Sequence, residues 1–368
     1  MDFILLITVI LLLSLGLIMV LSASSPTSLS ETGDDSYVYF KKQATFAVIG
    51  VAAMLFISKI DYRFWKKFYK IAYIASIILL LMVLIPGIGR SAGGARRWIN
   101  LGIQFQPSEL AKIGLIIFYA SYLTDHKDEL KDFKKGFVKP LLYLIPVVLI
   151  LILVQDHLSA TIIIVLVVGI MMLMAGVRPK YFATVGTGVA VAGAAGLYAM
   201  AKFTSKGAFR IARITSFLNP WADKQGDGWQ VIQSLYAIGS GGLFGVGLGQ
   251  SKQKYLYISE PHTDFIFAVL AEELGFVGCA IVIGLFGIFI WRGVLAAMKA
   301  PDMFGSLVAV GITSLIGLQA IINIAVVTSS MPVTGMPLPF FSYGVTSLLI
   351  LLCSVGVLLN ISRAGTKV

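Results

Sequence analysis

Charged side chains are scarce in this sequence. Asp, Glu, Lys and Arg make up 13% of its 368 residues against 58% hydrophobic, and the mean hydropathy of +0.90 excludes an ordinary soluble domain. Cysteine is scarcer still: Cys279 and Cys353 each sit inside an apolar run, which supports neither a disulfide framework nor a metal cluster. The first apolar run lacks the basic leader of a secretion signal, so it is expected to remain as an uncleaved span. Nucleotide loops are missing too. Six of the eleven residues from Gly239 to Gly249 are glycine, yet they match neither the phosphate-binding loop ending in Gly-Lys-Ser/Thr nor GxGxxG, and read as a flexible or tightly packed turn.

What is abundant is apolar runs of the length that crosses a bilayer, roughly 17 to 25 residues at about 1.5 Å each. We draw ten: Phe3 to Ala23, Ala44 to Ile60, Phe68 to Ile85, Ser108 to Leu123, Leu141 to Val154, Leu158 to Gly176, Phe182 to Ala201, Phe265 to Trp291, Phe304 to Val327 and Tyr343 to Ile361. The expected fold is an all-α polytopic membrane protein, a single domain over 1–368 with a large loop at about 202–263 between the seventh and eighth helices. The net charge of +11 is explained by loop placement rather than nucleic-acid binding. With the N-terminus inside, loops after even-numbered spans and the tail hold sixteen basic residues and the short loops opposite hold five, so both termini are expected in the cytoplasm. The long loop then faces outward, away from ATP.

Polar residues at span ends carry the candidate chemistry, because a bare carboxylate in hydrocarbon must be hydrated, paired or used. The loop closes on Glu260-Pro261-His262-Thr263-Asp264, where the eighth span begins. On a helix Glu272 lies about 80° around from Asp264 and about 12 Å along, and Glu273 about 180° around, which excludes a paired-carboxylate site. Asp264 is left as a single acid. Glu109 and Lys112, three apart after Pro107 and Ser108, either pair to fix helix packing or present a lysine to an anion. Gln155 to Ser159 places Asp156 and His157 in a very short connection, as a proton shuttle or a bonded turn. Gln319 and Asn323, four apart, read as interhelical hydrogen-bonding residues or sugar contacts. Arg210 and Arg213 lie on an amphipathic stretch, either on the membrane surface or in a lid for a diphosphate. Ser330 to Phe341, with Pro332, Pro337 and Pro339, reads as a folded loop.

These blocks carry a resemblance. Arg96-Arg97-Trp98, Gln106-Pro107-Ser108-Glu109, Arg210 to Trp221, Gln233 to Ala237, Gly239 to Gly275 and Pro332 to Phe340 resemble the FtsW, RodA and SpoVE proteins of the SEDS family along almost the whole chain, and the loop motif leans to the FtsW and sporulation branch. His157 stands where that family usually has an acid, and Val345 where it usually has glycine.

The resemblance implies a peptidoglycan glycosyltransferase of the bacterial cytoplasmic membrane that polymerises lipid II, serving division or spore cortex synthesis. Asp264 matches the family's catalytic aspartate, fit to act as general base. Arg96, Lys112, Arg210 and Lys252, with Glu260 and His262 beside the acid, are the expected substrate contacts, the basic residues facing the departing diphosphate. The resemblance names no certain cofactor, and a divalent cation could share that charge. The expected partner is a class B penicillin-binding protein, a transpeptidase. Two rivals remain: a flippase for the same lipid, which also needs polar residues inside a bundle, and a catalytically weak scaffold for the transpeptidase.

Overall fold

A computed structural model describes the chain apart from residues 34, 93–94, 101, 103, 189–216, 223, 225, 227, 256, 259 and 366–368. Apolar sequence becomes helix because buried backbone polar groups must be paired within the segment. The helices are α1 (Phe3–Thr32), α2 (Val38–Ile57), α3 (Tyr69–Leu81), α4 (Pro107–Asp125), α5 (Lys139–Leu149), α6 (Leu158–Ala175), α7 (Trp229–Gly241), α8 (Ile266–Met298), α9 (Met303–Val327) and α10 (Val345–Gly365). The π turns Phe133–Val138 and Ile150–Val154 lengthen α5 at both ends. Among the described residues, seven helices are long and apolar enough to cross a membrane: α1, α2, the Phe133–Val154 unit, α6, α8, α9 and α10. The expected seventh span is helical over 179–188 and then leaves the described residues.

Two expectations need correction. The chain is not purely helical, because β1 (Gly89–Ala92), β2 (Ala95–Asn100) and β3 (Gln104–Phe105) form a small antiparallel sheet in the order β1-β2-β3. Arg90 pairs with Trp98 and Ser91 with Arg96 across a register shift. Residues that read as loop thus form paired strands, with Ile99 of β2 buried.

The stretch 202–263 is not loop throughout either. It contains α7, which packs along the first part of α8. The cause lies at Gly275, whose φ of 66° and ψ of −165° interrupt α8. The break frees the carbonyls of Glu272 and Glu273 and the amides of Phe276 and Val277, and the glycine-rich turn takes all four. Val246 N donates to Glu272 O at 2.9 Å and Gly247 N to Glu273 O at 3.1 Å, while Phe276 N donates to Gly242 O and Val277 N to Leu243 O. A Cβ on Gly275 would lie 2.3 Å from the Gly245 amide nitrogen, and no side chain could be accommodated in that contact. The turn therefore reaches roughly 9 to 16 Å along α8 from its first residue, with Leu243 and Phe244 exposed at its tip.

The helix α9 runs through the middle of the bundle, buried from Phe304 to Val327 on most faces, with contacts to α4, α6 and α8. Its buried polar residues, Thr313, Gln319 and Asn323, lie on this central element. They are the link to the site.

Candidate functional site

Asp264 sits half-buried in the turn before α8. That turn is held from the α9–α10 loop. The Ser342 hydroxyl donates to Thr263 O at 2.6 Å and accepts from Leu338 N at 2.7 Å, and Tyr343 N donates to His262 O at 2.8 Å. Asn323 Nδ2, on α9, donates to Asp264 O at 2.8 Å and to Met336 O at 2.6 Å. The Asp264 carboxylate lies over Gly335: a Cβ there would stand 3.2 Å from Oδ2, and its φ of 66° already disfavours one. Three prolines keep the loop from becoming helix, which leaves its backbone groups for these bonds. Three of the four non-glycine residues with left-handed backbone among the described residues, Glu260 (φ 54°), Ser329 (φ 52°) and Phe340 (φ 67°), lie in these two loops. Strain concentrated there is tolerated only where surrounding contacts enforce it.

Beside the acid, His262 is buried between aromatic rings, with Tyr39 at 4.8 Å and Tyr343 at 5.8 Å between centroids. Its Nε2 lies 3.6 Å from the exposed Glu260 carboxylate. Burial pushes the imidazole below its ordinary pKa, against the pull of Glu260 and Glu31. The Tyr39 hydroxyl donates to Glu31 at 2.5 Å, so α1 and α2 close this flank. Neither Tyr39 nor Glu31 was legible as a site residue.

The same loop roofs a narrow crevice lined by Glu109, Gln319, Ser342, Ser347 and residues 337–340. Lys112, 4% exposed, is paired with Glu109 at 2.8 Å and lines an adjoining apolar pocket. In this conformation the lysine already has its anion. An anionic ligand would have to share or displace Glu109.

His157 caps α6, its Nδ1 accepting from Ala160 N at 3.0 Å. The proton of a neutral ring is then on Nε2, 2.6 Å from Gln106 Nε2, so a hydrogen bond there requires the amide turned to present its oxygen. Burial, with Arg97 and Lys112 adding, pushes this imidazole down to about 3. Arg97 donates to the carbonyls of Gln155 (3.2 Å) and Asp156 (2.5 Å), anchoring the hairpin on that connection.

The remaining candidates separate. Arg96 is exposed on β2, one residue before the anchoring arginine. Lys252 is also exposed, while its backbone amide donates to Glu272 Oε1 at 3.0 Å. Arg210 lies outside the described residues. Glu272 and Glu273 serve the glycine-rich turn: Glu272 accepts from Ser251 Oγ at 2.5 Å and from two backbone amides, and Glu273 accepts from Ser22 Oγ at 2.6 Å and Lys254 Nζ at 2.9 Å. Of the two lysines in this turn it is Lys254 that is buried. Nothing in a polar loop of alternating lysines marks which one is buried. Among the described residues no group of three His, Cys, Asp or Glu side chains is placed to hold a metal ion.

A multi-pass helical membrane protein with a half-buried acid, its turn held from two neighbouring segments beside a crevice, is the class these features define. The chain belongs to the FtsW, RodA and SpoVE family of cell cycle proteins, which it matches over residues 3–367. It is 47% identical to stage V sporulation protein E of Bacillus subtilis, over 98% of this chain and 97% of that protein. It is 43% identical to a probable peptidoglycan glycosyltransferase FtsW of Geobacter sp., over 98% and 96%. Among solved structures it is similar, with a TM-score of 0.82 and 28% identity over 100% of this chain and 99% of the other, to a chain from a study of polymerization and crosslinking by a peptidoglycan synthase complex. A crystal structure of the rod shape determining protein RodA of Thermus thermophilus is similar with a TM-score of 0.70 and 29% identity, over 98% and 96%.

Proposed function

We propose that this chain is a peptidoglycan glycosyltransferase that polymerises lipid II on the outer face of the cytoplasmic membrane, with Asp264 as its general base. The observation that carries the assignment of the base is the anchoring of the Asp264 turn from both α9 and the α9–α10 loop, beside the crevice. Family membership and the similarity to a probable peptidoglycan glycosyltransferase support the reaction class.

In this reading the Asp264 carboxylate takes the proton of the acceptor sugar hydroxyl as the hydroxyl oxygen bonds to the donor's anomeric carbon. The bond from that carbon to the diphosphate oxygen breaks, and undecaprenyl diphosphate leaves carrying the electron pair. Developing negative charge on the diphosphate is met by Lys112, Arg96, Arg210 and Lys252, with Glu260 and His262 contacting substrate near the base. A divalent cation, if bound, would share in neutralising the diphosphate charge.

Ten spans with both termini in the cytoplasm place Asp264 on the outer face, in keeping with the sixteen-to-five bias of basic residues. The turn of α7 into α8 then dips into the outer leaflet. A class B penicillin-binding protein is the proposed partner, crosslinking the strands as they emerge, as the crosslinking named for the similar complex suggests. The test is to supply purified chain with lipid II, alone and with a candidate transpeptidase, and to look for glycan polymer. Polymer supports the assignment; translocation of lipid II without polymer would identify a flippase, and partner binding with neither would identify a scaffold.

A further inference from the structure

Asn323 is 1% exposed, and its amide nitrogen donates two hydrogen bonds, to Asp264 O and to Met336 O. Both acceptors are carbonyls, so the chemistry fixes which end of the amide faces them. One side chain therefore ties the acid's own backbone to the residue that follows Gly335, over which the carboxylate lies. The other side of that glycine is held as well, because the Ser159 hydroxyl of α6 donates to Thr334 O. Thr334 and Met336 are thus each pinned from a different helix, with Gly335 between them as the floor beneath Asp264 Oδ2.

We propose that Asn323 is a positioning residue for the Asp264 carboxylate, setting its height over Gly335, an inference that rests on the reading of Asp264 as the base. Alanine at 323 would leave two carbonyls without a donor, and aspartate would set a carboxylate against them, so both release the acid's turn without touching substrate. Displacement of a reacting group by about 1 Å is enough to cost about 10²-fold in rate.

The test measures lipid II polymerisation by Asn323→Ala, Asn323→Asp, Gly335→Ala and Asp264→Asn, each checked for monodispersity. Asn323→Ala and Asn323→Asp are expected to lose about 10²-fold in kcat, with KM for lipid II within about twofold of the parent value. Gly335→Ala should show the same split with Asn323 intact, which keeps the idea testable if the Asn323 variants do not fold. Parental kcat in Asn323→Ala or Gly335→Ala, alongside an inactive Asp264→Asn, overturns the positioning role and leaves the base intact. A rise in KM at unchanged kcat also overturns it, by making Asn323 a substrate contact. An active Asp264→Asn overturns the reading of Asp264 instead.

Discussion

His157 occupies a position where a proton shuttle and a turn residue read alike in sequence. Burial decides between them. A ring that caps α6 through Nδ1 and is pushed to about 3 stays neutral across the physiological range. The linkage has a definite sign: the unfolded chain takes up a proton below pH 6.5 and the folded chain does not, so this group costs nothing above pH 6.5 and destabilises increasingly as pH falls toward 3. The loss is up to about 1.4 kcal/mol per pH unit in that window. Thermal unfolding in detergent should therefore show a shallower decline between pH 6.5 and 4 for His157→Gln than for the parent; equal slopes would contradict the account. At the same scale, Asp264 was legible as a lone acid at a span end. Its neighbours were not, because Asn323 and Gly335 reach it from positions about sixty and seventy residues away, and no local spacing encodes that approach.

The α7–α8 hairpin shows what periodicity reveals and hides at the scale of the element. Residues 266–298 are apolar enough to read as one span, and the break at Gly275 leaves no trace in that pattern. The glycines from 239 to 249 pointed to tight packing, but not to the four backbone groups they would satisfy. The hairpin's second fastening is ionic: Lys254, Glu272 and Glu273 are all buried, and Lys254 Nζ also bonds Ser22 Oγ of α1 and Gly249 O. Breaking a buried pair by removing one partner is costly, about 3 to 5 kcal/mol, because the other charge is left uncompensated. Lys254→Met should lower the melting temperature sharply, and Lys254→Met with Glu273→Gln should recover most of the loss. Additive losses in the double variant would show that the two side chains do not act as a pair.

Across the whole molecule, the sequence reading located all seven membrane-length helices among the described residues and the folded loop between α9 and α10. It missed the β hairpin and α7, whose partners are distant: Arg97 of the hairpin binds the connection at 155–156, and α7 lies along α8. The proposed topology rests on charge rather than packing, and it is checkable in intact cells. With Cys279 and Cys353 replaced, a cysteine at Tyr257 should react with a membrane-impermeant maleimide, and one at Lys131 only after lysis. The reverse pattern would turn the protein over and place Asp264 on the wrong side for an extracytoplasmic polymerase.

The most direct test of the central claim is chain synthesis from lipid II by the purified protein and its Asp264→Asn variant, each with a candidate transpeptidase. The parent should make glycan polymer. The variant should bind the partner equally well and, if the carboxylate is the base, polymerise at least 10²-fold more slowly. Polymer formed at the parental rate by Asp264→Asn would contradict the account.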